Sequence, residues 1–509
     1  MAGSSLAPPN SLSVASKVDL LLVVDDSHGM DSKSERLAAS VQTLVTDLAR
    51  VGDVHVGVLS SSLESVGHGT VCPATPSRDG RPRLRTTGVG GAPVLGAQTG
   101  VLEYRKGEDT LDFAARVAAV VRGVCTTGCG FESQLEAMYQ FLVQPDPSTS
   151  VSIDKGRANF GTTVDAELLE QRRHFLRPDS ALVVVMVSDE DDASLDPRSV
   201  GGQGWVFAHK DFPGSLVSRG AAQGTTAARA TSVCETDPLA KDTDGEDLCT
   251  SCAIVCDSSL PSCTKIRKDP NCAASPVAGK SGPGYSGYYS PEDDLLNVRF
   301  YKMKQRFGVD PQYPVARYVS GLSLDRVPNR ASEHPETPVA GSGNTKVEPY
   351  ESAPTCTNPI FAESLPSAGQ ELCNLARGPR TAELVVFGLI GGLPTDLASD
   401  APNWTSLVGA NPEAYDLSGL DPRMVQSVAS RAGLRDPSAG EYLQSACTLT
   451  SPGPQGADGA QPSPRLLRVA KALGDRAVIG SACDESASGY DGIIQRLSTR
   501  LAPRLVVTP

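Results

Sequence analysis

Two apolar runs, each breaking into acidic residues, constrain this chain more than anything else in it. The first, VDLLLVVDDSHGM, spans Val18 to Met30, and the second, ALVVVMVSDEDDAS, spans Ala181 to Ser194. An unbroken run of Val and Leu marks a strand buried on both faces, because a strand with one wet face alternates. The oxygens that follow, in Asp25-Asp26-Ser27 and in Asp189 to Asp192, then fall at strand C-terminal ends, where parallel α/β sheets place ligands. Finding the pattern twice makes chance a poor explanation.

Strand and helix patterns alternate around these runs. SERLAASVQTLVTDLAR puts Leu37, Val41, Leu44, Val45 and Leu48 on one face of a helix over Glu35 to Arg50. Strand is predicted over Val54 to Ser60, and an edge strand or hairpin within Thr86 to Ala97. Asp109 to Val124 reads as a helix burying Leu111, Phe113, Ala114, Val117, Val120 and Val121. Further helices start near Glu132, with Leu135, Met138, Phe141 and Leu142 as the apolar stripe, and end near His174. Regular pattern resumes with a strand over Glu383 to Ile390, a helix opened by Asp421-Pro422 and a helix over Arg465 to Leu473. A strand over Ala477 to Ser481 and a helix over Tyr490 to Leu501 close the chain. The expected fold is a doubly wound, mostly parallel, Rossmann-like α/β sheet with helices on both faces. Residues 1–16 are expected as a flexible leader, 17–194 and 381–509 as the two parts of the α/β domain. Residues 195–380 form an irregular cysteine-rich insertion between the fourth and fifth main strands, and a segment so long needs cross-links or packing to hold it.

A net charge of −13 argues against nucleic acid or an anionic membrane as the main partner. No stretch approaches the roughly 18 apolar residues of a membrane span. The 13 cysteines are Cys72, Cys125, Cys129, Cys234, Cys249, Cys252, Cys256, Cys263, Cys272, Cys356, Cys373, Cys447 and Cys483. Many sit in Gly/Pro/Ser-rich segments, which suits disulfides in an oxidising compartment, and the odd number leaves at least one free or paired with another chain. The leader MAGSSLAPPNSLSVAS has neither a charged n-region nor an apolar h-region, so export is read from the cysteines alone.

Asp25-x-Ser27-x-Gly29, together with Asp189, resembles the von Willebrand factor A-type (integrin I-like) domain, whose first strand ends in a D-x-S-x-S loop. The resemblance covers the α/β parts and implies a Mg²⁺ or Mn²⁺ ion held by hard oxygen ligands. By position it assigns Asp25, Ser27, a loop threonine and Asp189 as ligands, with Glu190 and Asp191 as neighbouring alternatives to Asp189. The threonine is Thr127 or Thr126, though the alignment also admits Gly128 or Cys129 at that place. Gly29 stands where a second serine belongs, which removes one hydroxyl, so the site is either intact or decayed. The competing reading is that Asp25 and Ser27 cap the following helix. GCGFESQLEA, FLRPDSALVVVMVSDEDDAS and IGSACDESASGYDGIIQRL further resemble a group of exported bacterial proteins, often lipoproteins, that carry this domain. That likeness implies an extracellular, periplasmic or outer-surface location, with membrane attachment through a lipid anchor this sequence lacks.

Other motifs weigh less. CTSCAIVC could start a zinc knuckle, but without a second matching pair or a nearby histidine the cysteines of the insertion read as disulfides. Around Asp242, Asp244, Gly245, Glu246 and Asp247, a twelve-residue Ca²⁺ loop would put Ala240 and Ser251 at ends that need carboxylates, which argues against Ca²⁺ there. Ala274 to Ser281 imitates a phosphate loop, yet three nearby prolines and no leading strand argue against nucleotide. Ser27 and His28 are chain neighbours whose side chains point apart, so no nucleophile–base pair is expected. The expected function is therefore non-enzymatic: an exported or cell-surface adhesion protein that recognises a protein or glycan through the divalent metal. The alternatives are a metal-free scaffold whose insertion makes the contacts and, more distantly, a metal-dependent hydrolase.

Overall fold

The computed structural model describes all residues except 1–11, 64–79, 125–127, 129, 209–227, 244–246, 255–267, 274–298, 339–344, 431–440, 451–458, 487–488 and 507–509. Six strands form the central sheet: β1 (Val18–Val24), β2 (Val54–Ser60), β3 (Val101–Tyr104), β4 (Ala181–Val187), β5 (Val385–Gly391) and β6 (Ala477–Ser481). Their order is β6-β5-β4-β1-β2-β3, parallel throughout except for β3, which runs antiparallel to β2 at the edge. Every residue of β1, β4 and β5 is buried, which is why their sequences do not alternate.

Helices among the described residues cover the sheet, chiefly α1 (Asp31–Ala49), α2 (Thr110–Gly123), α3 (Gln134–Leu142), α4 (Ala166–Phe175), α5 (Pro464–Leu473) and α6 (Asp491–Leu501). The two-residue period of β1 sends Leu20, Leu22 and Val24 into a core with α1, α2 and α6, while Leu21 and Val23 enter a second core with α3, α4 and α5. The molecule is thus α/β, with a mostly parallel sheet flanked by helices on both faces. The connections reverse direction between β1 and β4, and that junction is the switch point of the sheet.

Several local expectations change. Helix α1 begins at Asp31 rather than Glu35, and its first turns bury Lys33 and Ser34. Thr86 to Ala97 holds an isolated antiparallel bridge, Thr87 to Pro93, around a 3-10 turn at Val89–Gly91, and the edge strand is β3. Leu111 is 60% exposed, because it sits in the first turn of α2, where Asp109 accepts N–H bonds from Leu111 and Asp112. Asp421-Pro422 opens only a 3-10 turn, Pro422–Met424, with Asp421 accepting from Arg423 N. A hairpin, Val151–Asp154 with Arg157–Phe160, was not expected. Helix α3 is buried on every side rather than on one stripe. Ahead of β1, Leu12 N bonds Pro379 O at 2.8 Å and Ala15 N bonds Arg504 O at 2.9 Å.

Residues 195–380 contain helices Arg299–Phe307 and Val315–Gly321. Trp205, Phe207, Phe300 and Phe307 build a third core that also takes Phe131 and Ala193 from the α/β part. Among the described residues four disulfides are present: Cys234–Cys249, Cys252–Cys272, Cys356–Cys373 and Cys447–Cys483. They fit an oxidising compartment, and no helix among the described residues is long and apolar enough to cross a membrane. Cys72, Cys125, Cys129, Cys256 and Cys263 lie outside the described residues, as does Ala274 to Ser281. Cys447–Cys483 closes a separation of 36 residues and ties the chain beyond β6 to the segment before α5. Constraining a loop of that length stabilises a fold by about 2–4 kcal/mol, so serine at both positions should lower the urea midpoint correspondingly. An unchanged midpoint would show that the bond contributes nothing.

Candidate functional site

Four chain segments converge at the C-terminal edge of the sheet. β1 ends in Asp25-Asp26-Ser27, β4 in Ser188-Asp189, β2 runs into Ser60-Ser61-Ser62, and Glu132-Ser133 leads into α3. All of these side chains are buried, including five carboxylates counting Asp192. Parallel pairing at the switch point brings the β1 and β4 ends side by side: Asp25 N continues the ladder to Val187 O at 2.9 Å.

Asp25 accepts two bonds, from Ser27 N at 2.7 Å on Oδ1 and from Ser188 Oγ at 2.5 Å on Oδ2. Burial, then the charge of Asp189, pushes its carboxyl up to about 7. Ser27 Oγ donates to Asp189 Oδ1 at 3.3 Å, so the structure does bring Asp25, Ser27 and Asp189 together. Thr127, Thr126 and Cys129 lie outside the described residues, and Gly128 donates its N–H to Asp26 O at 2.7 Å. Of the alternative reading, the cap is not found, since Ser27 makes no side-chain cap bond and the N-cap position of α1 is Met30, whereas Asp25 does brace the turn by accepting from Ser27 N.

Asp189 already has a cation beside it, on the oxygen that Ser27 does not bond. Lys33, fully buried, places Nζ 3.0 Å from Asp189 Oδ2 and donates to Gly29 O at 2.7 Å. Lys33 comes from the first turn of α1 and reaches back over the loop, as i to i+4 neighbours on a helix do. Gly29 is part of the same arrangement. A Cβ there would lie 2.4 Å from Asp189 Oδ2, so a serine would push the carboxylate away from the lysine. With one hydroxyl missing and an ammonium in place, these residues do not fit the ion that the resemblance implies.

The rest of the acidic run from β4 has separate duties. Asp191 accepts from Arg465 N, Leu466 N and Gln426 Nε2, which caps α5. Asp192 accepts from Leu135 N at 3.0 Å and pairs with buried Arg465 at 2.8 Å, which ties α3 to α5. Glu190, half-buried, offers its backbone oxygen to Ser188 Oγ and Ser463 Oγ. The carboxylate of Asp191 is thus committed to α5 and Gln426 rather than to Ser27.

On the opposite side of Asp25 the sequence reading missed two residues. Asp26 accepts from Ser60 Oγ and Ser62 Oγ, each at 2.6 Å, and Arg85 Nη2 approaches to 3.8 Å. Glu132 accepts from Ser61 Oγ on Oε2, while Oε1 meets no donor among the described residues. Burial first, then the charges of Asp25, Asp26 and Glu190, drives the Glu132 carboxyl well above its ordinary range. Ligand oxygens of Asp25, Asp26 and Glu132 all lie within 4.8 Å of one another. In the insertion, Asp247 pairs with Lys241 at 2.6 Å, while Asp244, Gly245 and Glu246 lie outside the described residues. No protein-family model, curated protein or solved structure matches this chain, so the geometry stands by itself.

Proposed function

We propose that this chain is an exported, disulfide-stabilised binding protein of von Willebrand factor A type, in which the α/β domain is the scaffold and the insertion contacts a protein or glycan partner. The observation that carries the scaffold reading is the Lys33–Asp189 pair. A resident ammonium neutralises the carboxylate that would otherwise hold an ion and through it a partner's acidic group. The reading is supported further by the insertion's own aromatic core and, among the described residues, three internal cross-links, which give it a fixed surface. That surface exposes Leu239 and Leu324.

The test is binding of the oxidised chain to glycan and protein arrays, followed by affinity measurement on each hit. Binding should survive His28→Glu, which alters the exposed tip of the β1 loop, and should weaken at least about tenfold with Leu239→Glu and Leu324→Glu combined, in line with loss of buried apolar contacts. The reverse pattern would return the contact to the β1–β4 rim and overturn the scaffold reading. Turnover of an ester, peptide or phosphate-ester panel without saturable binding would replace it with an enzyme.

A further inference from the structure

The side of Asp25 away from Lys33 presents a different problem. Asp25, Asp26 and Glu132 are all but fully buried, with relative exposures of 0%, 2% and 1%. Cations near them are scarce among the described residues. Lys33 is engaged by Asp189 and Gly29 O, and Arg465 by Asp192. Arg85 reaches Asp26 only at 3.8 Å and keeps 24% of its side chain exposed. Three converging carboxylates in a dry site repel one another strongly, and burial of such a group is tolerated when it is paired or coordinates a metal.

Glu132 supplies the observation that points to a ligand. A buried carboxylate oxygen normally finds a donor, yet Glu132 Oε1 has none among the described residues while its partner oxygen takes the hydroxyl of Ser61. Glu132 belongs to the group whose ligand atoms gather within 4.8 Å, each residue offering one carboxylate oxygen. Octahedral Mg²⁺-type coordination at about 2.1 Å spreads ligand oxygens over about 3 to 4 Å, so small side-chain movements close the set onto one ion. The hydroxyls of Ser60, Ser61 and Ser62 surround it with neutral oxygens. No sulfur or imidazole takes part, which favours a hard cation over zinc or copper.

We propose that Asp25, Asp26 and Glu132 form a divalent-cation site for an ion of the Mg²⁺, Mn²⁺ or Ca²⁺ class, with Glu132 Oε1, which meets no donor among the described residues, available as a ligand. This site shares only Asp25 with the position implied by the family resemblance. Asp26 and Glu132 lie on the β2–α3 side of the loop, whereas Ser27 and Asp189 lie on the Lys33 side. The alternative source of neutrality is protons held on Asp25 and Glu132. The site stands whether or not the insertion binds a partner.

The probe is Mn²⁺, titrated into the chelator-treated, oxidised full chain, with free Mn²⁺ followed by electron paramagnetic resonance and thermal unfolding measured in parallel. The expected result is a single saturating ion per chain and a raised unfolding midpoint. Glu132→Gln should weaken binding at least about tenfold, because it removes one charged ligand from a small set. Glutamine keeps the shape of the side chain, and Asp26→Asn provides a second route if that variant does not fold. Ser27→Ala should leave Mn²⁺ affinity within about twofold of the parent. Absence of binding at about 1 mM Mn²⁺, the upper end of biological cation affinities, would overturn the site and leave protons as the neutralising species. Loss of binding in Ser27→Ala with retention in Glu132→Gln would overturn it equally, by moving the ion to the Lys33 side.

Discussion

Replacing Lys33 by methionine should lower the stability of the fold by about 3–5 kcal/mol, the usual cost of leaving one member of a buried ion pair without the other. Methionine preserves much of the side-chain volume, so the loss comes mainly from charge and hydrogen bonding rather than from a cavity. Lys33 is fully buried and lies 3.0 Å from Asp189, itself 7% exposed, and its ammonium also serves Gly29 O. Asp189 would then remain beside Asp25, whose carboxyl is already raised by that charge. Urea midpoints at fixed pH check the size of the effect. Adding Asp189→Asn to Lys33→Met should recover much of the loss, because the second change removes the stranded charge, and the double-mutant cycle isolates the pair. Raising the salt concentration should do little, since a pair so enclosed is poorly screened. A loss below about 1 kcal/mol, the range of exposed pairs, would show that Lys33 leaves this position in solution.

The Arg317→Met variant should be damaged at least as severely. Arg317, buried in helix Val315–Gly321, pairs through Nη1 with Glu136 of α3 and through Nε with Glu333 at 2.7 Å. Its guanidinium lies 3.6 Å from the centroid of Tyr139 and 3.9 Å from that of Tyr313, so two rings sandwich it. One substitution strands two buried carboxylates, which sets a floor of about 3–5 kcal/mol, with cation–π contacts adding about 1–2 kcal/mol where desolvated. Burial alone would raise the Glu136 carboxyl, and Arg317 is what opposes that. Because Arg317 joins the insertion to the α/β part, the loss should be visible as faster hydrogen exchange in Val315–Gly321 and at residues 330–333. Combining Arg317→Met with Glu136→Gln and Glu333→Gln should restore a good part of the midpoint. Exchange confined to α3, with the insertion helix still protected, would show that this contact does not hold the two parts together.

These two cations mark where a reading of the sequence runs out. Lys33 follows Asp31 and Ser32 in a polar stretch, and polarity there reads as a solvated helix start; the structure buries it, because Gly29 leaves room for Asp189 to come within reach. Glu132 sits in a Gly- and Ser-containing approach to a helix and carries no spacing signal toward Asp25, from which more than a hundred residues separate it. Its partner Ser61 comes from a third segment after β2. Signals at loops were also ambiguous: Asp421-Pro422 is as compatible with one 3-10 turn as with a helix, and a four-residue edge strand such as β3 is too short for a period to declare itself.

What the sequence determined alone is the framework. Continuous apolar runs can satisfy their bulk only with both faces covered, so β1, β4 and β5 had to be interior strands, and the helical stripes of α1, α2 and α6 had to lie against them. Asp25, Ser27 and Asp189 followed at the strand ends, because a parallel sheet delivers those ends to one edge. Which cation meets which carboxylate was decided only by tertiary structure. Charges separated by tens or hundreds of residues interact through distance and dielectric, and both are set by the packing that buries Lys33 against Asp189 and leaves Glu132 facing Asp25 and Asp26.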